Sequence, residues 1–491
     1  MNLLSALVYW RWGRCVVRKH EFPSVWRKMT SIRTLVRRNL VFSSCQARQW
    51  RYAGPMGQPP RTRSGSMARH AGLSGEAMAQ RVIVIGGGVV GLTTAWWLLE
   101  AGYHVRVLER AAEPASGASH ANGGQLSYRY VSPLADAGVP LKALHWLLQR
   151  DGPLRLRPEA DPRQWRWLAE FLMRCNGTSN ARTTAMLLEL GACSRAAMGE
   201  LMRLIPPAGF AWREPGKLVL YRSPSLLNTA ARRAHGEPAT EIWSPAEAVR
   251  QEPALATLQP ALAGAIYTGG EAVADCRLFC LALARLLHDH PRYGGTLQGS
   301  AHGWRIENGK LTALDTSLGP QQADQFVLAA GIQSRDLAAG AGLRLPLYPL
   351  KGYSLTAPIR PGDAAPSISV TDFERKTLYA RIGDQLRIAA MVDMVGERPA
   401  IDPRRVASLT RTARAAMPHA ADYAHAVAWS GLRPATPDGA PIIGATPLPN
   451  LWLNVGHGAL GFTFSCGSAS LLAGMMRGQP APPALAGLGL R

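Results

Sequence analysis

The pattern of apolar and polar positions is sharpest just after residue 80. After its first residue, Arg81 to Ile85 ("RVIVI") is an unbroken apolar run, the mark of a parallel strand buried on both faces. Val89 to Ala101 then reads as a helix, and "HVRVLER" as a second strand that ends at Glu109. Farther along, "ADQFVLAAGIQS" (Ala323 to Ser334) predicts a strand running into small residues. Leu451 to Asn454 predicts another, followed by a glycine loop and a helix from about Thr463. "TLYARIGDQLRIAAMVDMVG" alternates on either side of Gly383-Asp384 and predicts a hairpin.

Chemistry enters at the turn between the first strand and helix. Gly86, Gly88 and Gly91 have the G-x-G-x-x-G spacing. The first glycine permits the tight reversal, the second lets a diphosphate approach the backbone, and the third lets helix and strand pack closely. Free N–H groups and the helix dipole favour an anion there. Glu109, eighteen residues after Gly91, is placed to accept hydrogen bonds from an adenosine ribose. This much specifies a dinucleotide but leaves NAD and FAD open. The next segment, "EPASGASHANGGQLS" (Glu113 to Ser127), is a small-residue loop able to lay backbone donors along an extended cofactor, which favours a flavin.

Composition narrows the class. A chain of 491 residues, 47% hydrophobic and 18% charged, suits a globular protein of about two domains, and no charge-free run of eighteen apolar residues is expected to span a membrane. Seven cysteines without a CxxC pair argue against structural zinc or a disulfide framework and for a reducing compartment. The net charge of +22 is uneven: residues 1 to 80 hold 14 basic and two acidic residues, and the rest is only mildly basic. With no compact basic patch interleaved with aromatics, a nucleic-acid partner is not expected. The Arg-rich, acid-poor first eighty residues read as a transit segment or as codons upstream of the true start. "MAQRVIVIGGG" favours the second, with the start near Met78.

With Glu109 and "SHANGGQLS" in place, the chain resembles the D-amino-acid oxidase superfamily of FAD-dependent amine oxidoreductases. "PLYPLKGYSLT" (Pro346 to Thr356), "WSGLRPATPDGAPIIG" (Trp429 to Gly444) and "LWLNVGHGALGFTFSCGSASLL" (Leu451 to Leu472) are similar to the bacterial D-amino-acid dehydrogenases of the small-subunit type. "VPLKALHWLLQR" and "DCRLF" add to the likeness, which covers Gln80 to Gly478. His120 and His302 depart from it, standing where a small residue and a valine are more usual.

The resemblance implies an α/β fold: a discontinuous Rossmann-like FAD-binding domain with a second, mixed α+β substrate domain containing an antiparallel sheet. Residues 80–128, 256–335 and 426–480 are expected in the first, 129–255 and 336–425 in the second, with 1–79 an extension and 481–491 a tail. Expected cofactor contacts are Val82, Ile83, Val84, Ile85, Gly86, Gly87, Gly88, Val89, Val90, Gly91, Glu109 and Arg110. Ser119, Asn122, Gly123, Gly124 and Gln125 follow in the loop, then Ala330 and Gly331. Gly456, His457, Gly458, Gly461 and Phe462 complete the set beside the flavin ring.

The match of "GLRPATPDG" implies that Arg433 binds the substrate carboxylate, because a guanidinium engages a planar carboxylate through two parallel hydrogen bonds. Tyr353 and Tyr379 are candidates for a supporting hydroxyl, His457 for a catalytic or a structural imidazole, and Lys351 for a charge near the flavin or a surface ion pair. No metal is expected. The implied reaction is oxidation of a D-amino acid, with electrons passed to a quinone or another acceptor. Alternatives are an O2-using oxidase of glycine, a secondary amine or an opine, and a non-catalytic or RNA-modifying flavoprotein. Trp146, Trp165, Trp167 and Phe171 suit either a helix lying peripherally on the cytoplasmic face of the inner membrane or packing within the core.

Overall fold

The structure is a computed structural model that describes residues 80–491 apart from 130, 132, 150 and 151; the expected start near Met78 and the extension 1–79 lie outside the described residues. The strand predicted at Arg81–Ile85 is central in a six-stranded sheet. From one edge the order is Ile442–Ala445, Leu451–Val455, Gln325–Leu328, Arg81–Ile85, His104–Glu109 and Tyr293–Gln298. All neighbours are parallel except the first pair. Strand periodicity divides the core: Val82 and Val84 face one set of buried side chains, Ile83 and Ile85 another. Helices Val89–Glu100, Gly177–Leu201, Cys276–His288 and Gly461–Met476 supply the first set. A small three-stranded sheet (Ala301–Glu307, Lys310–Thr316, Gly319–Gln321) contributes to the second.

A nine-stranded mixed sheet forms the other half. Its order is Val427–Ala435, Tyr348–Pro358, Gln385–Met394, Thr377–Ile382, Ser369–Asp372, Lys217–Tyr221, Gly264–Thr268 and Thr240–Trp243, with Leu154–Leu156 paired to Gln385–Met394. The hairpin predicted at Gly383-Asp384 is present: Ile382 pairs with Gln385, and Gly383 takes the positive φ (+61°) that a tight two-residue turn asks of its first central residue.

The expected segment boundaries shift for reasons that are not local. Gly264–Thr268 and Val427–Ala435, placed by sequence in the cofactor segments, hydrogen-bond into the large sheet instead. Helix Gly177–Leu201, placed in the substrate segments, turns Leu187, Leu190, Ala197 and Met198 into the core of the cofactor half. The expected tail buries Leu485 and Leu488 in that same core. Gly458–Met476 is in fact long and apolar enough to cross a membrane, contrary to the composition-based expectation, but much of it packs inside the fold.

Candidate functional site

The glycine turn is dictated by contacts that no side chain could share. Gly86 has φ +113°, and a Cβ there would lie 2.6 Å from the Ala329 carbonyl oxygen; at Gly91 a Cβ would lie 1.8 Å from the Gly86 oxygen. Gly88 meets only Ser119 Oγ, at 3.4 Å, so its open side is left for a ligand. Ser119 Oγ accepts from the Val89 N–H at 3.0 Å, capping the helix from a distance because Gly88 has no side chain to do so. Glu109 spans the rim: Oε2 accepts from Gly87 N–H at 2.6 Å and Oε1 from Ala111 N–H at 2.9 Å. In the following loop Asn122 Oδ1 accepts from Gly124 N–H, and Gln125 donates to Ser369 Oγ of the large sheet.

These groups line one end of a cavity of about 1670 Å3. Ile85, Gly86, Gly88, Val89, Val90, Glu109, Arg110, Ser119, Asn122, Gly123, Gly124, Gln125, Ala330 and Gly331 all reach its wall, as do Gly456, His457, Gly458, Gly461 and Phe462. Val82, Ile83, Val84, Gly87 and Gly91 do not; they support the wall from behind. His302 stands exposed at the rim.

The other end is built on two paired strands. Register places Gly352 opposite Gly431, Leu350 opposite Arg433 and Ser354 opposite Trp429, all on one face. A Cβ on Gly352 would lie 2.1 Å from Arg433 Nη2, and one on Gly431 would lie 2.1 Å from the Trp429 ring. The two glycines therefore form a trough in which a guanidinium and an indole lie flat against backbone. Arg433 Nη1 donates to the Met391 carbonyl at 3.0 Å. Met391 carries a φ of +70°, rare for a side-chain-bearing residue, at a register break in Gln385–Met394, and this bulge brings its carbonyl to the arginine. Among the described residues no carboxylate is paired with Arg433, and burial, partly offset by Asp393, lowers its pKa without discharging it.

Tyr353 lines the cavity, but its hydroxyl donates to Asp393 Oδ2 at 3.1 Å, and burial keeps it a neutral phenol. Asp393 is fully buried and also meets Arg155 at 2.5 Å and Arg405 at 2.8 Å. Tyr379 is not brought to the site: it packs in the core of the large-sheet half, 1% exposed. Lys351 also lies off the cavity, its Nζ bonded to the Ala400 carbonyl. His457 reaches the wall, while its imidazole is buried against Ser468 Oγ at 3.1 Å and burial pulls its pKa down to about 3. The imidazole is thus neutral and enclosed. Trp167 and Phe171 are buried and stacked on each other, with the Trp167 indole N–H bonded to the Ala435 carbonyl; Trp165 is about half exposed.

Sequence reasoning missed Gly352, Gly431, Met391 and Trp429. For Gly352, Gly431 and Trp429 the signal is the pairing of "KGYS" with "WSGLR", which becomes visible once the two strands are adjacent; nothing in the sequence marks Met391. His120, noted as a departure, stacks against Trp429 with ring centroids 6.5 Å apart.

The donor set fits FAD. A diphosphate matches the glycine turn, a ribose matches Glu109, and the cavity exceeds the roughly 300–1,000 Å3 of an ordinary small-molecule pocket and continues without a break to Arg433.

Comparison with known proteins agrees. The family model for FAD dependent oxidoreductases matches residues 81–475. The chain is 47% identical over 408 residues to D-amino acid dehydrogenase 2 of Pseudomonas aeruginosa, covering 82% of this chain and 96% of that protein. It is 44% identical to D-amino acid dehydrogenase 2 of Ralstonia nicotianae, covering 81% and 96%. Among solved structures, glycine oxidase from Geobacillus kaustophilus superposes with a TM-score of 0.65 at 23% identity, over 84% of this chain and 99% of that one, which supports the fold alone.

Proposed function

The chain belongs to the FAD dependent oxidoreductase family, and on that footing we propose that it oxidatively deaminates D-amino acids to 2-oxo acids and ammonia. The observation that carries this reading is Arg433, a guanidinium held flat over Gly352 at the far end of the cofactor cavity, in a chain 47% identical to a D-amino acid dehydrogenase. Bound FAD supplies the two-electron hydride acceptor. Arg433 grips the substrate carboxylate through its fork, which fixes the Cα–H bond relative to the ring. The Met391 carbonyl sets the plane of that fork, and Trp429 walls the site. As the amine lone pair closes a C=N bond, the Cα–H pair leaves as hydride; water then converts the iminium to 2-oxo acid and ammonium. No side-chain base is needed at Cα, in keeping with His457 and Tyr353 being committed elsewhere.

For the acceptor, a membrane quinone is the favoured proposal. Trp146, Leu147, Trp165 and Leu172 form an apolar side of the same cavity, and Leu147, Trp165 and Leu172 are 39–53% exposed, which supports peripheral docking on the cytoplasmic face of the inner membrane. The test is spectral. Anaerobic D-alanine should bleach the flavin absorbance, and a quinone analogue should restore it without peroxide. A panel of D- and L-amino acids, glycine and prolines that leaves the flavin oxidised would refute amine oxidation, and stoichiometric peroxide in air would replace the quinone by O2.

A further inference from the structure

A lysine inside the cavity has no part in the reading above. Lys217 begins the strand Lys217–Tyr221, is 5% exposed, and lines the same cavity as the diphosphate turn and Arg433. Its Nζ donates to Ser127 Oγ at 3.0 Å, and the Ser127 N–H donates to Thr463 Oγ1 at 3.3 Å. Thr463 lies in the first turn of the 16-residue helix Gly461–Met476, whose N-terminus carries positive partial charge. An ammonium and a helix N-terminus therefore act on the same stretch of wall, together with Gln125 and Phe462. Phe462, the neighbour of Thr463, is among the residues expected beside the cofactor ring, so this stretch of wall would face that ring when FAD is bound.

Burying an ammonium costs several kcal/mol unless something repays it. Glu271 favours the charge, yet its two oxygens already accept from the Tyr128 and Arg129 N–H groups, and burial wins: the Lys217 pKa falls to about 8, leaving it mostly charged at neutral pH.

We propose that Lys217 is an electrostatic positioning residue for the cofactor ring, favouring the negative charge that the ring gains on two-electron reduction. This places at Lys217 the role that sequence reading offered to Lys351, whose ammonium is turned away to the Ala400 carbonyl. The inference rests on FAD as the cofactor and not on the identity of the amino-acid substrate.

The experiment uses the FAD-loaded protein and sulfite, a probe whose addition, like reduction, places negative charge on the ring and bleaches its absorbance. In Lys217→Met and Lys217→Gln the sulfite Kd should rise on the order of tenfold, with the two-electron potential about 30 mV lower. Lys217→Arg, which keeps the charge, should stay within about threefold of the wild type. Neutral variants that retain FAD with a Kd within about twofold of the wild type would overturn the proposal. If both neutral variants lose FAD, the potentials of the wild type and Lys217→Arg are compared from pH 7 to 9. The gap should widen as the lysine deprotonates against a permanently charged arginine, with Glu271 as the titratable group acting on it; a constant gap overturns the proposal. None of these readouts involves an amino acid, so they stand or fall separately from the deamination reading.

Discussion

Substituting Gly352 by alanine should damage the chemistry while sparing the fold. The new Cβ would lie 2.1 Å from Arg433 Nη2, 2.3 Å from Cζ and 2.6 Å from Nη1. Ordinary carbon contacts need about 3.5 Å, so the guanidinium must lift by more than about 1 Å. Gly352 itself is in an extended strand, without the positive φ that alanine resists, and the obstructed group is the end of a flexible side chain. Stability should therefore change by less than about 1 kcal/mol. The lifted arginine loses its bond to the Met391 carbonyl, and its fork no longer meets a carboxylate at the designed height. A hydrogen bond to a charged group contributes about 1.5–3 kcal/mol, so kcat/KM for a D-amino acid should fall about 10- to 100-fold. The assay is steady-state dye reduction with D-alanine, alongside FAD content and Tm. In an Arg433→Leu background the same glycine substitution should do nothing further, because the Cβ has no guanidinium to displace. Near-wild-type kcat/KM in Gly352→Ala, or an undiminished effect in the Arg433→Leu background, would refute the reasoning.

Three other outcomes are expected. Arg433→Leu should raise KM for D-amino acids by about 100-fold or more, measured as substrate saturation, while FAD absorbance is unchanged. Gly91→Ala, whose Cβ would meet the Gly86 carbonyl oxygen at 1.8 Å with backbone on both sides, should abolish FAD retention, read as flavin content after gel filtration. His457 titrates at about 3 when folded against 6.5 in its ordinary state, so below pH 6.5 the unfolded chain takes up a proton that the folded chain refuses. The stability this imidazole contributes is complete above pH 6.5 and is lost between 6.5 and about 3, on the order of 5 kcal/mol at most. Urea unfolding at pH 7 and 5 should show that loss in the wild type and a smaller one in His457→Gln; equal pH slopes would count against it.

The sequence by itself determined the parts governed by neighbours along the chain. The G-x-G-x-x-G turn, the strand and helix flanking it, Glu109 at the end of the next strand, and the Gly383-Asp384 hairpin follow from steric rules spanning a few residues, and each lies where the pattern put it. Tertiary structure decided what depends on register and facing. Tyr353 and Tyr379 look alike in sequence, and both pack in the core of the large-sheet half at 1% exposure, yet only Tyr353 also reaches the cavity wall. Trp165 and Trp167, two positions apart on one helix, point to opposite sides because a helix advances about 200° in two residues. The sequence offers Lys351 as a charge near the flavin or a surface ion pair and does not single out Lys217, since nothing local distinguishes a lysine that leaves the cavity from one that lines it. The trough beneath Arg433 exists only because Gly352 and Gly431 are brought opposite each other by hydrogen bonds between distant strands, and such pairing is a property of the assembled sheet rather than of either segment.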